Sequence, residues 1–335
     1  MLRRIVLLCL ALALVIPACA QTTINGAGAT FPYPMYSKWF SEYHNAHPDI
    51  QINYQSIGSG GGIRQVIAGT VEFGASDGPM TDEQLAESKV KIQHIPTVLG
   101  AVVPAYNVSG LSGELRFAPE TIADICLGKI TSWNDKVIAN DNPGVKLPDR
   151  PIVLVHRSDG SGTNYIFTDY LSKVSGEWKD KVGKGTSVKW PVGLGAKGNE
   201  GVAGMIRQMD GAFGYVELIY AIQNKIPYAA VRNSAGTWLK GSLEGATAAA
   251  ASVKTMPADY RVSITNAPGK DAYPISSFTW LLIPVQAKDP AKGKIIVDFL
   301  HWMLESGEKM TTQLNYAPLP DNVAAKVAET IKQLH

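Results

Sequence analysis

Residues 50–67, Ile-Gln-Ile-Asn-Tyr-Gln-Ser-Ile-Gly-Ser-Gly-Gly-Gly-Ile-Arg-Gln-Val-Ile, change their hydrophobic period half-way. Ile50, Ile52 and Tyr54 alternate with polar residues, as in a half-buried strand, whereas Ile63, Val66 and Ile67 mark one face of a helix. Between them lies Gly58-Ser59-Gly60-Gly61-Gly62, so the stretch predicts a strand running through a glycine turn into a helix. A helix N-terminus leaves its first N–H groups unpaired and partly positive, and glycine lets a ligand come close to them. Such a unit is an anion cradle. Repeated units of this kind build an α/β fold with a mixed, mostly parallel sheet, and ligands bind at the carboxyl ends of its strands.

Two more turns share this design. A short strand from Ile24 enters Gly26-Ala27-Gly28-Ala29-Thr30-Phe31, and Met35, Tyr36, Trp39, Phe40 and Tyr43 then recur at helical spacing. Pro151 to Val155 reads as a buried strand leading to Asp159-Gly160-Ser161-Gly162-Thr163, followed by the helix face Tyr165, Ile166, Tyr170, Leu171 and Val174. Elsewhere the pattern predicts strands over Val71 to Ala75, Gly214 to Leu218 and Ile275 to Pro284. Ile95 to Tyr106 is either a strand pair or one long crossover strand. Helices are expected over Pro119 to Leu127, Asn199 to Met209, Ala291 to Leu304 and Val323 to Leu334, and Thr81 begins a capping-box pattern. Ala246 to Ala251 is helix or surface loop. The third turn lies far along the chain from the first two, and a cleft between two domains would bring them together.

Each turn carries a hydroxyl: Thr30, Ser59, and Ser161 with Thr163. Ser and Thr cap helices everywhere, so capping is the ordinary reading of any one of them. A cap needs no flanking glycines, and all three turns have them. Arg157 follows the strand and stands four residues before Ser161, where a guanidinium could reach an anion and a carboxylate. Asp77, in Ser76-Asp77-Gly78-Pro79, would repel an anion unless the ligand brought a proton to donate. Monohydrogen phosphate has that proton; sulfate at neutral pH does not, and would leave two acceptors facing each other.

Residues 1–20 read as an export signal: Arg3 and Arg4, an apolar run from Ile5 to Ile16, then Ala18-Cys19-Ala20 as a small-residue cleavage site. The run is shorter than the roughly 20 residues of a membrane-spanning helix. Lipid anchoring at Cys19 is the alternative, and Pro17 directly before Ala18 favours cleavage after Ala20. Removing the signal takes two of the 31 basic residues and none of the 29 acidic ones, which leaves a balanced chain and argues against nucleic-acid binding. Cys126 would then be the only cysteine, with a buried apolar role expected and no internal disulfide. Enzyme and metal signatures fit badly. Positions 159 and 163 are Asp and Thr, so Ser161 is outside a G-x-S-x-G elbow; Gly128-Lys129 and Gly269-Lys270 lack the P-loop spacing; His44 and His47 have no clear third metal ligand.

The segments "NGAGATFPYPMYSKW", "INYQSIGSGGGIRQVIAGTVEFGASDGPM", "LGKITSWND", "HRSDGSGTNYIFTDYL", "VKWPVGLGAKGNEGVAGMI" and "GAFGYVEL" together resemble the periplasmic phosphate-binding proteins of bacterial high-affinity phosphate ABC importers. The resemblance implies a type II periplasmic binding protein fold, with lobe 1 as residues 21–104 plus 277–335, lobe 2 as 105–276, and a two-strand hinge. It implies an extracytoplasmic, monomeric phosphate carrier without cofactor, metal or catalysis, serving the permease and ATPase components of an importer. By motif position Thr30, Phe31 (through its N–H), Ser59, Arg157, Ser161, Gly162 and Thr163 would donate to phosphate. Asp77 would accept its proton, and Arg157 would pair with both Asp77 and phosphate. Three positions depart from the usual pattern: Gly60 stands where Ser is common, and Gly78 and Ser158 where Ala is. The competing expectations are an extracytoplasmic phosphatase or esterase using Ser161 or Thr30 as nucleophile, though no base is evident, and a receptor for another tetrahedral oxyanion.

Overall fold

The computed structural model describes residues 21–334; the export-signal reading of 1–20, with Cys9 and Cys19, lies outside them. The strands are β1 (Thr22–Gly28), β2 (Ile50–Ser56), β3 (Phe73–Ser76), β4 (Ile92–Asn107), β5 (Arg116–Phe117), β6 (Val153–Arg157), β7 (Leu194–Ala196), β8 (Ala212–Glu217), β9 (Ala230–Arg232), β10 (Trp238–Leu239) and β11 (Ser276–Pro284). The α-helices are α1 (Tyr33–Ala46), α2 (Ser59–Ala68), α3 (Asp82–Glu87), α4 (Pro119–Cys126), α5 (Lys136–Asp141), α6 (Gly162–Val174), α7 (Gly176–Lys181), α8 (Gly198–Gln208), α9 (Leu218–Gln223), α10 (Leu243–Ala250), α11 (Pro290–Trp302) and α12 (Asp321–Ile331).

Eight strands form one curled sheet in the order β2-β1-β3-β11-β4-β8-β6-β7. Its two halves meet in β4. Ile92 to Ala101 pairs antiparallel with β11, and Val102 to Asn107 pairs antiparallel with β8. The segment 95–106 is therefore one long crossover strand rather than a pair. Nearly every residue of β4 is buried, because helices cover both faces, and its sequence is correspondingly apolar without alternation. β1 pairs parallel with β2 and β3 in one half, and β6 pairs parallel with β7 and β8 in the other. This is a two-lobed α/β fold, with β4 and the return through Ile275 into β11 as the two crossings.

Local sequence explains the elements. α1 turns Met35, Tyr36, Trp39, Phe40 and Tyr43 inward, as their spacing predicts, and each such side chain contributes roughly 1.5–3 kcal/mol of burial. α3 carries the capping box, with the Thr81 hydroxyl accepting from the Gln84 N–H and the Gln84 side chain accepting from the Thr81 N–H. Ala246 to Ala251 falls mostly in α10, capped by Ser242. Cys126 is buried in α4, and burial raises its thiol pKa. Some boundaries differ from the pattern. β3 starts at Phe73 rather than Val71, and α11 ends at Trp302 and continues as a π-helical turn over Met303–Gly307. The small sheet β10-β9-β5 was not expected at all: two-to-three-residue strands are too short to show a period.

Candidate anion-binding site

Five strand ends deliver the site. β1 leads to Thr30, β2 to Ser59, β3 to Asp77, β6 to Arg157, and β7 to Asn199. These are the carboxyl ends of parallel strands from both halves of the sheet, where open α/β sheets place ligands.

Close packing of the turns rests on glycine at two places. Gly58 has φ +89 and forms the N-cap of α2, which puts Ser59 at the first helical position. Gly60 donates its N–H to the Gly160 carbonyl at 2.8 Å, joining the second turn to the third. A Cβ on Gly60 would lie 3.0 Å from Gly160 Cα, so glycine at 60 lets the turns meet this closely. A Cβ on Gly162 would lie 2.4 Å from both Asp77 Oδ2 and Ser59 Oγ, which shows that the backbone at 162 opens directly onto these two groups.

The hydroxyls share one hydrogen-bonding pattern. Thr30 Oγ1 accepts from the Asn199 backbone N–H at 3.3 Å and from Asn199 Nδ2 at 2.8 Å. Thr163 Oγ1 accepts from Asn199 Nδ2 at 3.0 Å. Ser161 Oγ accepts from the Asn164 N–H at 3.0 Å as the N-cap of α6. Ser59 Oγ accepts from the Asp77 N–H at 3.2 Å and lies 3.5 Å from Asp77 Oδ2. A hydroxyl has one proton and two lone pairs. Every one of these oxygens already accepts from the protein, and Ser59 also donates weakly to Asp77 Oδ2. Of the four, only Ser161 is a helix cap.

Arg157 corrects one expectation. Its Nε and Nη2 fork onto Asp159, at 2.7 and 2.6 Å, rather than onto Asp77. Asp159 stands two residues on in the same turn, where planar bidentate pairing is geometrically easy. Asp159 Oδ1 also accepts from the Gly198 N–H at 3.1 Å. Burial would raise the Asp159 carboxyl pKa, but the Arg157 hydrogen bonds and charge outweigh it and lower it. Arg157 Nη1 is buried and, among the described residues, has no partner. The guanidinium is thus held by one edge with a donor left over.

Asp77 is 1% exposed. Thr279 on β11 donates to its Oδ1 at 2.6 Å, while the acceptor capacity of Oδ2 is met only weakly, by Ser59. Burial pushes the Asp77 carboxyl up to about 7, opposed by Thr279, the Arg157 charge and Ser59. Behind the site, Tyr220 Oη donates to the Thr30 carbonyl and Tyr316 Oη to the Phe31 carbonyl, both at 2.6 Å, and pin the first turn. The buried Glu217 accepts from the Ile219 N–H and from Tyr316; burial, first of all, raises its pKa well above the ordinary value.

Thr30, Phe31, Ser59, Asp77, Arg157, Ser161, Gly162 and Thr163 thus lie in the three turns and strand ends that meet here. Sequence reasoning missed Asn199, Asp159 and Thr279. Asp159 was visible inside the third turn. Asn199 follows Gly198, which has φ +73, but a lone Asn at a helix start reads as ordinary. Thr279 is one polar residue in an apolar strand and carries no signal by itself.

Residues 16–307 match the family model of the PBP superfamily domain. The chain is 49% identical over 316 residues to the phosphate-binding protein PstS of Xylella fastidiosa strain Temecula1, covering 93% of this chain and 86% of the relative. It is 42% identical to the phosphate-binding protein PstS of Haemophilus influenzae, covering 93% of each. Among solved structures, the fold matches a high-affinity periplasmic phosphate-binding protein, PfluDING, at TM-score 0.74 and 20% identity, over 92% of this chain and 93% of that one. A phosphate-binding protein from Stenotrophomonas maltophilia matches at TM-score 0.70 and 18% identity, over 92% and 93%. Strand ends, glycine turns and near-full-length identity agree: the chain belongs to the PstS-type phosphate-binding proteins of the PBP superfamily.

Proposed function

We propose that this chain captures inorganic phosphate outside the cytoplasm and hands it to the permease and ATPase components of an ABC importer, acting as a monomeric carrier without catalysis. The observation that carries the reading is the imbalance of the site: four hydroxyls that already accept from the protein, a buried Arg157 Nη1 without a partner among the described residues, and one under-satisfied buried carboxylate. Donors from Thr30, Phe31, Ser59, Arg157, Ser161, Gly162 and Thr163 suit the oxygens of a tetrahedral anion, and the N-termini of α2 and α6 add partial positive charge. Asp77 then selects a ligand oxygen that carries a proton. The relatives named as phosphate-binding proteins support the same ligand. We take lobe 1 as residues 21–104 plus 277–335 and lobe 2 as 105–276, with export directed by residues 1–20.

A hydrolase would need a base beside its nucleophile. His156 is engaged elsewhere: its ring stacks on Trp190 at 5.0 Å, and its Nδ1 bonds the Arg157 carbonyl. Titration calorimetry of ligand-stripped protein with phosphate and with sulfate, at pH 5 and pH 8, tests the reading. One-to-one phosphate binding with no sulfate response at pH 8 is expected. Equal affinity for both anions would reduce the protein to a generic oxyanion receptor, and binding of neither would end the carrier reading.

A further inference from the structure

We propose that Asn199 is a positioning residue: its side-chain amide and backbone N–H commit the Thr30 hydroxyl as a donor and turn the Thr163 hydroxyl the same way, and so dictate which way round a protonated anion binds. The proposal rests on the phosphate reading and deepens it.

Hydrogen-bond chemistry fixes the orientation of the Asn199 amide. The Glu217 backbone N–H can only donate, and it points at Asn199 Oδ1 at 3.0 Å. The acceptor end of the amide is therefore the one facing Glu217, and the two Nδ2 protons face the other way. One goes to Thr30 Oγ1 at 2.8 Å and the other to Thr163 Oγ1 at 3.0 Å. With its own backbone N–H also on Thr30 Oγ1, Asn199 occupies both lone pairs of that oxygen. Asn199, Thr30 and Thr163 are all buried, so water does not compete for these bonds.

A free threonine hydroxyl is an amphoteric rotor that can serve a ligand as donor or acceptor. Asn199 removes that choice at Thr30, where it fills both lone pairs, and narrows it at Thr163, where it takes one of the two. Thr30 then stands as a fixed donor with Thr163 biased the same way beside it, and Asp77, the acceptor, approaches from another strand. A ligand oxygen bearing a proton is mismatched against Thr30 and Thr163 and matched against Asp77. The preorganised dipoles need no rearrangement on binding, which is where such arrangements gain affinity. Asn199 also spans the two halves of the sheet, since Thr30 follows β1 and Thr163 follows β6.

The test is a double-mutant cycle on phosphate affinity by calorimetry, with melting temperatures recorded for each variant. Asn199→Ala should weaken phosphate roughly tenfold to a hundredfold, as expected for loosening two hydrogen bonds to a charged ligand. In a Thr30→Val/Thr163→Val background the same change should alter affinity less than about threefold, because residues acting through one network are non-additive. The isosteric Asn199→Asp keeps the Glu217 bond but draws both hydroxyl protons to itself. It should weaken phosphate more than Asn199→Ala does. Equal losses for Asn199→Ala in both backgrounds, or wild-type affinity in Asn199→Asp, would overturn the proposal while leaving the carrier reading intact. A wild-type protein that ignores phosphate would overturn both.

Discussion

Two aspartates, Asp77 and Asp169, are each 1% exposed, and burial pulls both carboxyl pKa values upward. The outcomes are opposite. Asp169, on α6, is surrounded: Lys184 and Lys173 reach it at 2.6 and 3.1 Å, and Ser263 and Thr265 donate to it at 2.6 and 2.5 Å. Those partners outweigh its burial and hold its carboxyl at about 2. Asp77 has Thr279, a weak Ser59 contact and the field of a guanidinium already forked onto Asp159, so its carboxyl rises to about 7. A fully compensated buried charge ties the fold together, here fastening the 263–265 segment to α6. An under-compensated one marks where a ligand completes the arrangement.

The largest effect that would break this contrast lies in specificity. Asp77→Asn keeps the Thr279 bond through its carbonyl and turns an NH2 group toward Gly162 and Ser59. The site then donates where it used to accept. The phosphate-over-sulfate ratio should fall by roughly a thousandfold, since a site built to read a polar hydrogen discriminates by about 10⁴ or more. Competition calorimetry at pH 8 checks it, and an unchanged ratio would remove Asp77 from the proton-reading role.

Asp169→Asn should leave that ratio alone and instead cost about 3 kcal/mol of stability, the penalty for breaking a buried ion pair. The pH dependence separates the two residues further. Asp169 has a folded pKa below its unfolded value, so its contribution is present above about pH 4 and is lost as pH falls toward 2. Asp77 has a folded pKa above its unfolded value, so its proton stabilises the ligand-free fold at low pH, and that stabilisation is lost as pH rises from about 4 through 7. Chemical denaturation across this range should therefore show Asp169→Asn without part of the wild-type acid loss, and Asp77→Asn without part of the decline toward neutrality.

The same contrast explains what was legible in the sequence. The Thr30, Ser59 and Ser161 turns were readable because a strand, a glycine and a hydroxyl sit within a few residues, and the change of period points at them. Asp77 was readable only by asking why a carboxylate should face an anion. The partners that decide each residue's chemistry come from far along the chain: Thr279 to Asp77 spans 202 positions, Asn199 to Thr30 spans 169, and Thr265 to Asp169 spans 96. No local period records such pairings. Arg157 was assigned to the wrong carboxylate for the opposite reason. Its partner, Asp159, was only two residues away, inside the third turn, and carried no role in the pattern.

The smallest expected effect probes whether the two aspartates are independent. Gly78 follows Asp77, and a Cβ there would lie 2.8 Å from Tyr165 Cγ, so an Ala at this position forces the ring to move. Lys184, which donates to Asp169, sits 5.7 Å over the same ring, so Tyr165 lies between the two neighbourhoods. Gly78→Ala should cost about 1 kcal/mol of overpacking. If Asp77 and Asp169 act independently, phosphate affinity should change less than about threefold, because Thr279 on β11 holds the Asp77 carboxyl. A loss beyond tenfold, with melting little changed, would mean that the displaced ring carries strain from the Lys184–Asp169 pair to the ligand site. The compensated aspartate would then tune the uncompensated one instead of merely fastening a segment to α6.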